Sequence, residues 1–289
     1  MLSARCEMLN AWPRRFQPMP LNGYNPVMAN YEKDEAICLR VINFSETSQV
    51  VTLFARQAGL LALLAKGSRK MAKAGAFSLG APIDQLARGE VVYIPPRGTA
   101  ELGTLTAWDL IDYQPAMRKS LPAFFAGQII CEVMMALLSG QEPHTQLYDE
   151  LAAGLAALGG SQTQRLFLSI AKSILISTGY QPQLEYCLVC KSPVRPGVSA
   201  QFCPQRGGVC CVGCPAESKT PRVDGGVLLA LARLPAPSAL LTASAFKPAD
   251  APAMRAAATV LIAAIEAASD RPLKTRWALQ ALFGKTKAL

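Results

Sequence analysis

A single histidine, His144, occurs in the 289 residues, and that scarcity removes whole classes of chemistry. Any Ser–His–Asp or Cys–His relay would rest on this one imidazole, and it sits in a Glu142-Pro143-His144-Thr145 loop that reads as surface. Glycine-rich phosphate cradles are missing as well: neither GxxxxGK[ST] nor GxGxxG occurs, so nothing supports ATP or dinucleotide use. Carboxylates are scattered rather than paired, and the chain is expected not to be an enzyme. Long apolar runs are also lacking. Glu132, Lys172, and Arg255 with Glu266 on either side of Ala256–Ile265 interrupt the best of them before the ~18 residues of a membrane span. Met1–Met28 has no apolar h-region and carries Pro13, Pro18, Pro20 and Pro26, unlike a secretory leader. Together these absences predict a cytoplasmic chain with no membrane partner.

What is present is apolar and basic. Hydrophobic residues make up 51% of the chain and charged residues 17%, which excludes global disorder and predicts well-packed, alanine-rich helices. The formal charge is +9, and it is localised. No carboxylate lies between Glu46 and Asp84, whereas five basic residues fall between Arg56 and Lys73; the stretch Gly225–Leu289 has eight basic and three acidic residues. Two localised positive regions suit a polyanionic partner, although a soluble basic protein with solvated lysines would show the same totals. Six of the nine cysteines cluster within Cys187–Cys214, a distribution that favours a metal over a disulfide scaffold.

Patterning divides the chain in three. Residues 1–30 read as an irregular, proline-rich tail, expected to be dispensable, with Met28 as a candidate start. Residues 31–113 carry short β-rich runs: Ala36–Asn43, Gln49–Ala55, Gly59–Lys66, a stretch near Glu90–Ile94, and Glu101–Leu110. Alternation along the first places Ile37, Leu39 and Val41 on one face and Cys38, Arg40 and Ile42 on the other. Five short strands in so few residues predict a five-stranded OB-type β-barrel, with a plain SH3-like barrel left open by strand count. Residues 114–289 switch to helical period over Leu121–Leu138, Gln146–Leu158, Gln162–Ser177, Gly226–Leu234, Ala253–Ala267 and Leu273–Phe283. The fold class is therefore α+β, a barrel followed by a helical domain. A Pro/Gly/Cys-rich insert, residues 184–221, interrupts the helices.

Two motifs carry chemistry. Cys187-Leu-Val-Cys190 and Cys211-Val-Gly-Cys214 are each a pair of thiolates on a tight turn, and two such turns give the closed S4 shell that structural zinc prefers. Cys203 and Cys210 leave some ambiguity; Cys211 is preferred because it alone has the two-residue spacing to Cys214. The second motif is Lys66-Gly-Ser-Arg69-Lys70, continued by Lys73, a basic loop able to follow a phosphate backbone by charge. Arg40 and Arg56 are expected at its edge, with Phe54, Phe77 and Tyr93 as candidate stacking surfaces. A solvated basic loop is the bland alternative.

The same residues together resemble the RecO recombination-mediator family. The resemblance runs through Glu35-Ala-Ile-Cys-Leu-Arg40, Glu46, Val51-Thr-Leu-Phe54, Gly59 and Lys66-Gly-Ser-Arg69. It continues in Phe167, Thr178-Gly-Tyr-Gln-Pro182 and Cys187-Leu-Val-Cys190, then Phe202, Gly207-Gly208, Cys211 and Cys214, and ends in Arg271-Pro-Leu-Lys-Thr-Arg276 with Leu282. It implies an OB-fold that binds single- and double-stranded DNA, and a helical domain bearing a structural zinc. It further implies annealing of complementary strands coated by single-strand-binding protein, recruitment through that protein's acidic, apolar C-terminal tail, cooperation with RecR in loading RecA at gaps, and a place at the nucleoid. Arg118/Lys119 and Arg165/Lys172 are the cations expected to meet the tail. Two other classes stay open: a zinc-ribbon interaction protein without DNA binding, and an enzyme with a carboxylate site.

Overall fold

Short leucine- and valine-rich runs build the barrel that opens the protein. The computed structural model describes residues 30–70, 79, 82–96, 98, 100–215, 222–242 and 250–284; the expected tail up to Ala29, and Lys73 and Phe77, lie outside them. Strands β1 (Glu32–Asn43), β2 (Gln49–Ala55), β3 (Gly59–Ala65), β4 (Arg88–Ile94) and β5 (Gly103–Asp112) close into a barrel in the order β1-β2-β3-β5-β4. Strand β4 returns antiparallel to β1, and β3 runs parallel to β5. This Greek-key order is the OB-type barrel and removes the SH3-like alternative. Val51, Leu53, Leu61, Leu63, Val91, Leu105 and Trp108 fill its interior.

The faces of β1 differ from simple alternation. Cys38 pairs with Leu53 and Arg40 with Thr52, so Leu39 is an extra residue, a β-bulge, between two rungs. A bulge inverts the in–out order beyond it. Val41 consequently packs against the barrel interior with Cys38 rather than sharing a face with Ile37 and Leu39, which join the helical core. Arg40 and Ile42 are exposed.

Eight helices follow among the described residues: α1 (Pro115–Arg118), α2 (Leu121–Leu137), α3 (Thr145–Ala157), α4 (Thr163–Ser177), α5 (Gly225–Ala232), α6 (Pro237–Thr242), α7 (Ala251–Ser269) and α8 (Leu279–Phe283). The expected helix over Leu273–Phe283 shrinks to α8 preceded by a short 3₁₀ turn, Arg276–Ala278. Pro272 cannot continue a helix, and the Glu132 carboxylate of α2 captures the backbone N–H groups of Lys274 and Thr275, each at 2.8 Å. Helix α7 corrects the reading of the apolar runs: its 19 residues are long and apolar enough, by length and composition, to cross a membrane. Its Val260, Leu261, Ile262 and Ile265 are buried in the helical core, which accounts for the hydropathy.

The residues 184–221 insert, expected to be a loop, holds most of a four-stranded sheet that its flanks complete. Strands β6 (Gln183–Cys187), β7 (Ser199–Cys203), β8 (Gly208–Cys211) and β9 (Arg222–Asp224) lie in the order β6-β8-β7-β9. Runs of three to five residues broken by Pro and Gly carry too little periodicity to reveal them. Leu184, Phe202, Val209 and Val223 bury the sheet against the helices.

Barrel and helices form one compact unit. Ile37, Leu39, Phe54 and Leu86 on the outer barrel wall belong to the helical core. Phe54 meets Tyr148 of α3 with ring centroids 5.8 Å apart. Around this seam the Tyr148 hydroxyl donates to Glu35 Oε1 at 3.0 Å, Arg88 pairs with the same oxygen at 2.9 Å, and Arg118 pairs with Asp84 at 2.9 Å while its guanidinium lies 3.9 Å above the Tyr113 ring. Gly59 opens β3 at φ 68°, where an added Cβ would collide with the backbone of Glu142 in the α2–α3 connection. Gly59→Ala should therefore destabilise the protein by about 2 kcal/mol or more, read as a melting-temperature drop of at least ~4 °C by circular dichroism. Gly98→Ala, at φ 61° with open space around it, isolates the backbone strain from the collision and should cost less.

Candidate metal centre and basic interface

Parallel pairing of β6 with β8 brings the two cysteine turns together, because both strands end on a cysteine, Cys187 and Cys211. The turns close by backbone bonds from Lys191 N to Cys187 O and from Cys214 N to Cys211 O, each 3.1 Å. The sulfurs of Cys187, Cys190, Cys211 and Cys214 all lie within 4.8 Å of one another. A tetrahedral shell with Zn–S bonds of ~2.3 Å needs sulfurs ~3.8 Å apart, and Cys190 and Cys211 already stand at 3.6 Å. Cys203 and Cys210 are not in this group; they pair with each other at 3.3 Å, buried between β7 and β8.

The electrostatics suit a cation. Burial alone would raise the Cys187 thiol, but backbone N–H groups of Cys211, Cys190 and Val189 face its sulfur and hold it at about 6. Cys214 is pushed up to about 12, chiefly by the protons it shares with Cys211 and Cys190. One sulfur is thus prepared to be a thiolate while another resists, a conflict that a divalent cation ligated by all four relieves.

The basic loop leaves β3 at Ala65 and is stitched to the β1–β2 turn. Arg69 N donates to Thr47 O at 3.1 Å, Gly67 N to Ser48 Oγ at 3.3 Å, and Ser68 Oγ to Gln49 Oε1 at 2.9 Å. Lys66, Arg69 and Lys70 are exposed there, and Arg40 is exposed on the outer wall of β1. Among the described residues none of these four is in an ion pair. Arg56 stands apart from them. It forms a two-pronged bond to Asp149 of α3, at 2.8 and 2.9 Å, so its charge is met by a carboxylate at the seam. Lys73 lies outside the described residues.

Two of the three candidate stacking rings belong to the core instead. Phe54 and Tyr93 are buried, Tyr93 with its hydroxyl on Glu32 at 2.7 Å, and Phe77 lies outside the described residues. An exposed aromatic at the basic end is Phe44 in the β1–β2 turn; its signal in the sequence was only its place two residues beyond Ile42. Of the cations expected on the helical domain, Arg118 is consumed at the seam and Lys172 caps α5 by donating to Ala232 O and Leu234 O at 2.5 and 2.8 Å. Arg165 is buried and Lys119 exposed. His144 is half-buried, its Nδ1 3.0 Å from Ser177 Oγ.

A closed OB-type barrel locked to a helical body that carries a four-thiolate cluster defines a class of two-part proteins in which a nucleic-acid-type barrel and a metal knuckle share one core. Family models identify the member. "Recombination protein O N terminal" matches residues 28–114 and "Recombination protein O C terminal" matches residues 118–276. A "DNA repair protein RecO" of Rhodopirellula baltica is 30% identical over 202 residues, covering 69% of this chain and 73% of the relative. Another of Anaeromyxobacter dehalogenans is 29% identical over 242 residues, covering 83% and 92%. The chain belongs to the RecO family of DNA repair proteins.

Metal analysis checks the thiolate centre: freshly purified, reduced protein should carry one equivalent of metal. Cys190→Ser should lose most of it and loosen the two cysteine turns, while the buried sheet beneath them and the barrel, which shares no ligand, stay folded. Cys203→Ser and Cys210→Ser should leave the metal content unchanged.

Proposed function

We propose that this protein is a non-catalytic, cytoplasmic mediator of recombinational DNA repair that works at the nucleoid. In this reading the barrel binds the backbones of single- and double-stranded DNA through Lys66, Arg69 and Lys70, with Arg40 on the adjoining wall and Lys73 continuing the patch. It anneals complementary strands coated by single-strand-binding protein and acts with RecR to load RecA at gaps. Zinc is the ion for the four thiolates, and its role is structural, since four cysteines leave no open coordination position for substrate.

The observation that carries the reading is the partition of cations. Lys33, Arg56, Arg88, Arg118 and Arg276 are spent on carboxylates, whereas among the described residues Lys66, Arg69 and Lys70 on one loop, and Arg40 on the outer wall of β1, stand exposed with no ion pair. An array of exposed cations held on a hydrogen-bonded frame matches a phosphate backbone, and such contacts position a strand without reading its sequence. Four contacts predict a slope of log affinity against log salt near −3 for single strands. Lys66→Glu with Lys70→Glu should flatten that slope by more than one unit and leave the melting temperature unchanged. A double variant that binds as tightly and as salt-sensitively as the parent refutes the assignment and moves attention to Arg271, Lys274 and Arg276.

Recruitment of single-strand-binding protein is assigned to a small apolar cleft of about 60 Å³ among α4, α5 and α7. Leu168, Val227, Leu231, Leu234 and Met254 line it together with Arg165. Apolar walls and one guanidinium suit an acidic, apolar peptide tail. Titration calorimetry with such a peptide should give a saturable heat that Ala230→Asp, at an exposed position on the cleft, reduces without lowering the melting temperature.

A further inference from the structure

We infer that Phe44 is a stacking platform for an unpaired base, and that it gives the barrel a preference for single-stranded over double-stranded DNA. The inference rests on the reading of the barrel as the DNA-binding surface and adds to it the element that distinguishes the two forms. Phe44 is 66% exposed at the tip of the β1–β2 turn. Its backbone is fixed: Phe44 N and Ser45 N both donate to Ser48 O, at 3.0 and 3.1 Å, and Ser48 N donates to Ser45 Oγ at 3.1 Å. The ring is therefore presented on a preorganised turn, so little ordering is left to be done on binding.

Its surroundings point to a nucleobase. The Lys66–Arg69 turn is bonded directly to this turn through Thr47, Ser48 and Gln49, which places cations for the phosphates beside a ring for the base. Beyond the Leu39 bulge, Arg40, Ile42 and Phe44 alternate onto the outer wall. Ile42 is 42% exposed and pairs across the ladder with Val50, which pairs with Leu64. These three side chains make a shallow apolar floor between Phe44 and Arg40, about 13 Å apart along the strand direction. Charge on two sides and an apolar floor with an aromatic end is the make-up of a single-strand channel, in which any base can stack because every base has a π-face. A duplex keeps its bases stacked on each other and offers this surface only backbone. Glu46 is the carboxylate on the same turn, exposed at its apex, and it keeps the ring end less positive than the loop behind it.

The test measures binding of an oligothymidine strand and of a blunt duplex of equal length to the full chain, across ~50 to ~200 mM salt. Phe44→Ala should weaken the single strand by about 10-fold or more, one stacked base lost, while the duplex changes by less than about twofold and the salt slope stays the same because no phosphate contact is removed. Phe44→Trp should restore single-strand affinity, and its fluorescence should be quenched by the strand and little by the duplex. Equal losses for strand and duplex would assign Phe44 to shaping the turn and overturn the inference, as would no loss for either. Failure of the underlying reading looks different: the parent itself would then bind the single strand without salt dependence, and both ideas would fall together.

Discussion

Leu39 sits between two rungs of the β1–β2 ladder, and because strand side chains alternate with a period of two, this extra residue reassigns every position beyond it. Before the bulge, Ile37 points out of the barrel into the helical core; after it, Val41 points in and Arg40 points out. Two consecutive residues, Leu39 and Arg40, can thus both lie outside the barrel, one under helices and one in solvent. The bulge is held from the side, since Cys38 exchanges backbone bonds with Leu86 and Ala87, and Gln85 Nε2 donates to Leu39 O at 2.8 Å. A regular strand would bury the Arg40 guanidinium inside a barrel that has no carboxylate to meet it, at a cost of several kcal/mol. The outer wall is consequently divided: its lower part, Ile37, Leu39 and Phe54, is the floor of the helical core, and its upper part, Arg40, Ile42, Val50 and Leu64, faces outward.

Charge follows the same division. Around the lower wall Arg56–Asp149 and Arg118–Asp84 fasten barrel to helices, and Arg88–Glu35 joins two barrel strands at the oxygen that the Tyr148 hydroxyl also reaches. Exposed pairs of this kind add little stability individually, but their geometry is directional, and together with the Phe54–Tyr148 contact they fix how the barrel is presented. At the upper end the carboxylates thin out, and Lys66, Arg69 and Lys70 are left to the solvent on a loop whose backbone is bonded to the neighbouring turn. Arg56 belongs by sequence to the basic run and by structure to the seam. Its 93-residue separation from Asp149 is the reason that no local reading of the sequence could assign it.

The same distinction between local and long-range information explains what was legible in advance. Strands β2 and β3 follow from short apolar, β-rich runs separated by the turn around Gln57–Gly59, and the structure then puts Val51, Leu53, Leu61 and Leu63 on the inner face. Helices α2, α3 and α4 follow from apolar periodicity, and the four clustered cysteines follow from spacing, because a two-residue spacer is a local geometric requirement for a shared ion. The bulge was not legible, as nothing in Ala-Ile-Cys-Leu-Arg-Val marks which residue is extra. Phe54 and Tyr93 could be core or stacking rings by sequence, because an aromatic in a strand carries no mark of which face it takes; partners from distant segments, Tyr148 and Glu32, decide for the core. Phe44 went unnoticed for the converse reason, lying just past the end of a strand where periodicity stops.

The metal module shows how local and long-range terms combine. Taken alone, a Pro- and Gly-rich insert with two thiol pairs would depend on its ion for order, as small zinc domains do. Here β6 and β8 align in parallel and carry Cys187 and Cys211 to the same edge, while Phe202 and Val209 bury the sheet in the helical core. Side-chain burial positions the strands, and the strands position the thiols. A bound ion would have the narrower task of closing the two turns, which are exposed: Val189 and Val212, one in each turn, stand in solvent. Removing the ion should accordingly release the turns more than the sheet beneath them. The barrel lies on the far side of the same core and has no ligand in the cluster, so the module can lose its metal without disturbing the wall that carries Arg40, Lys66 and Phe44.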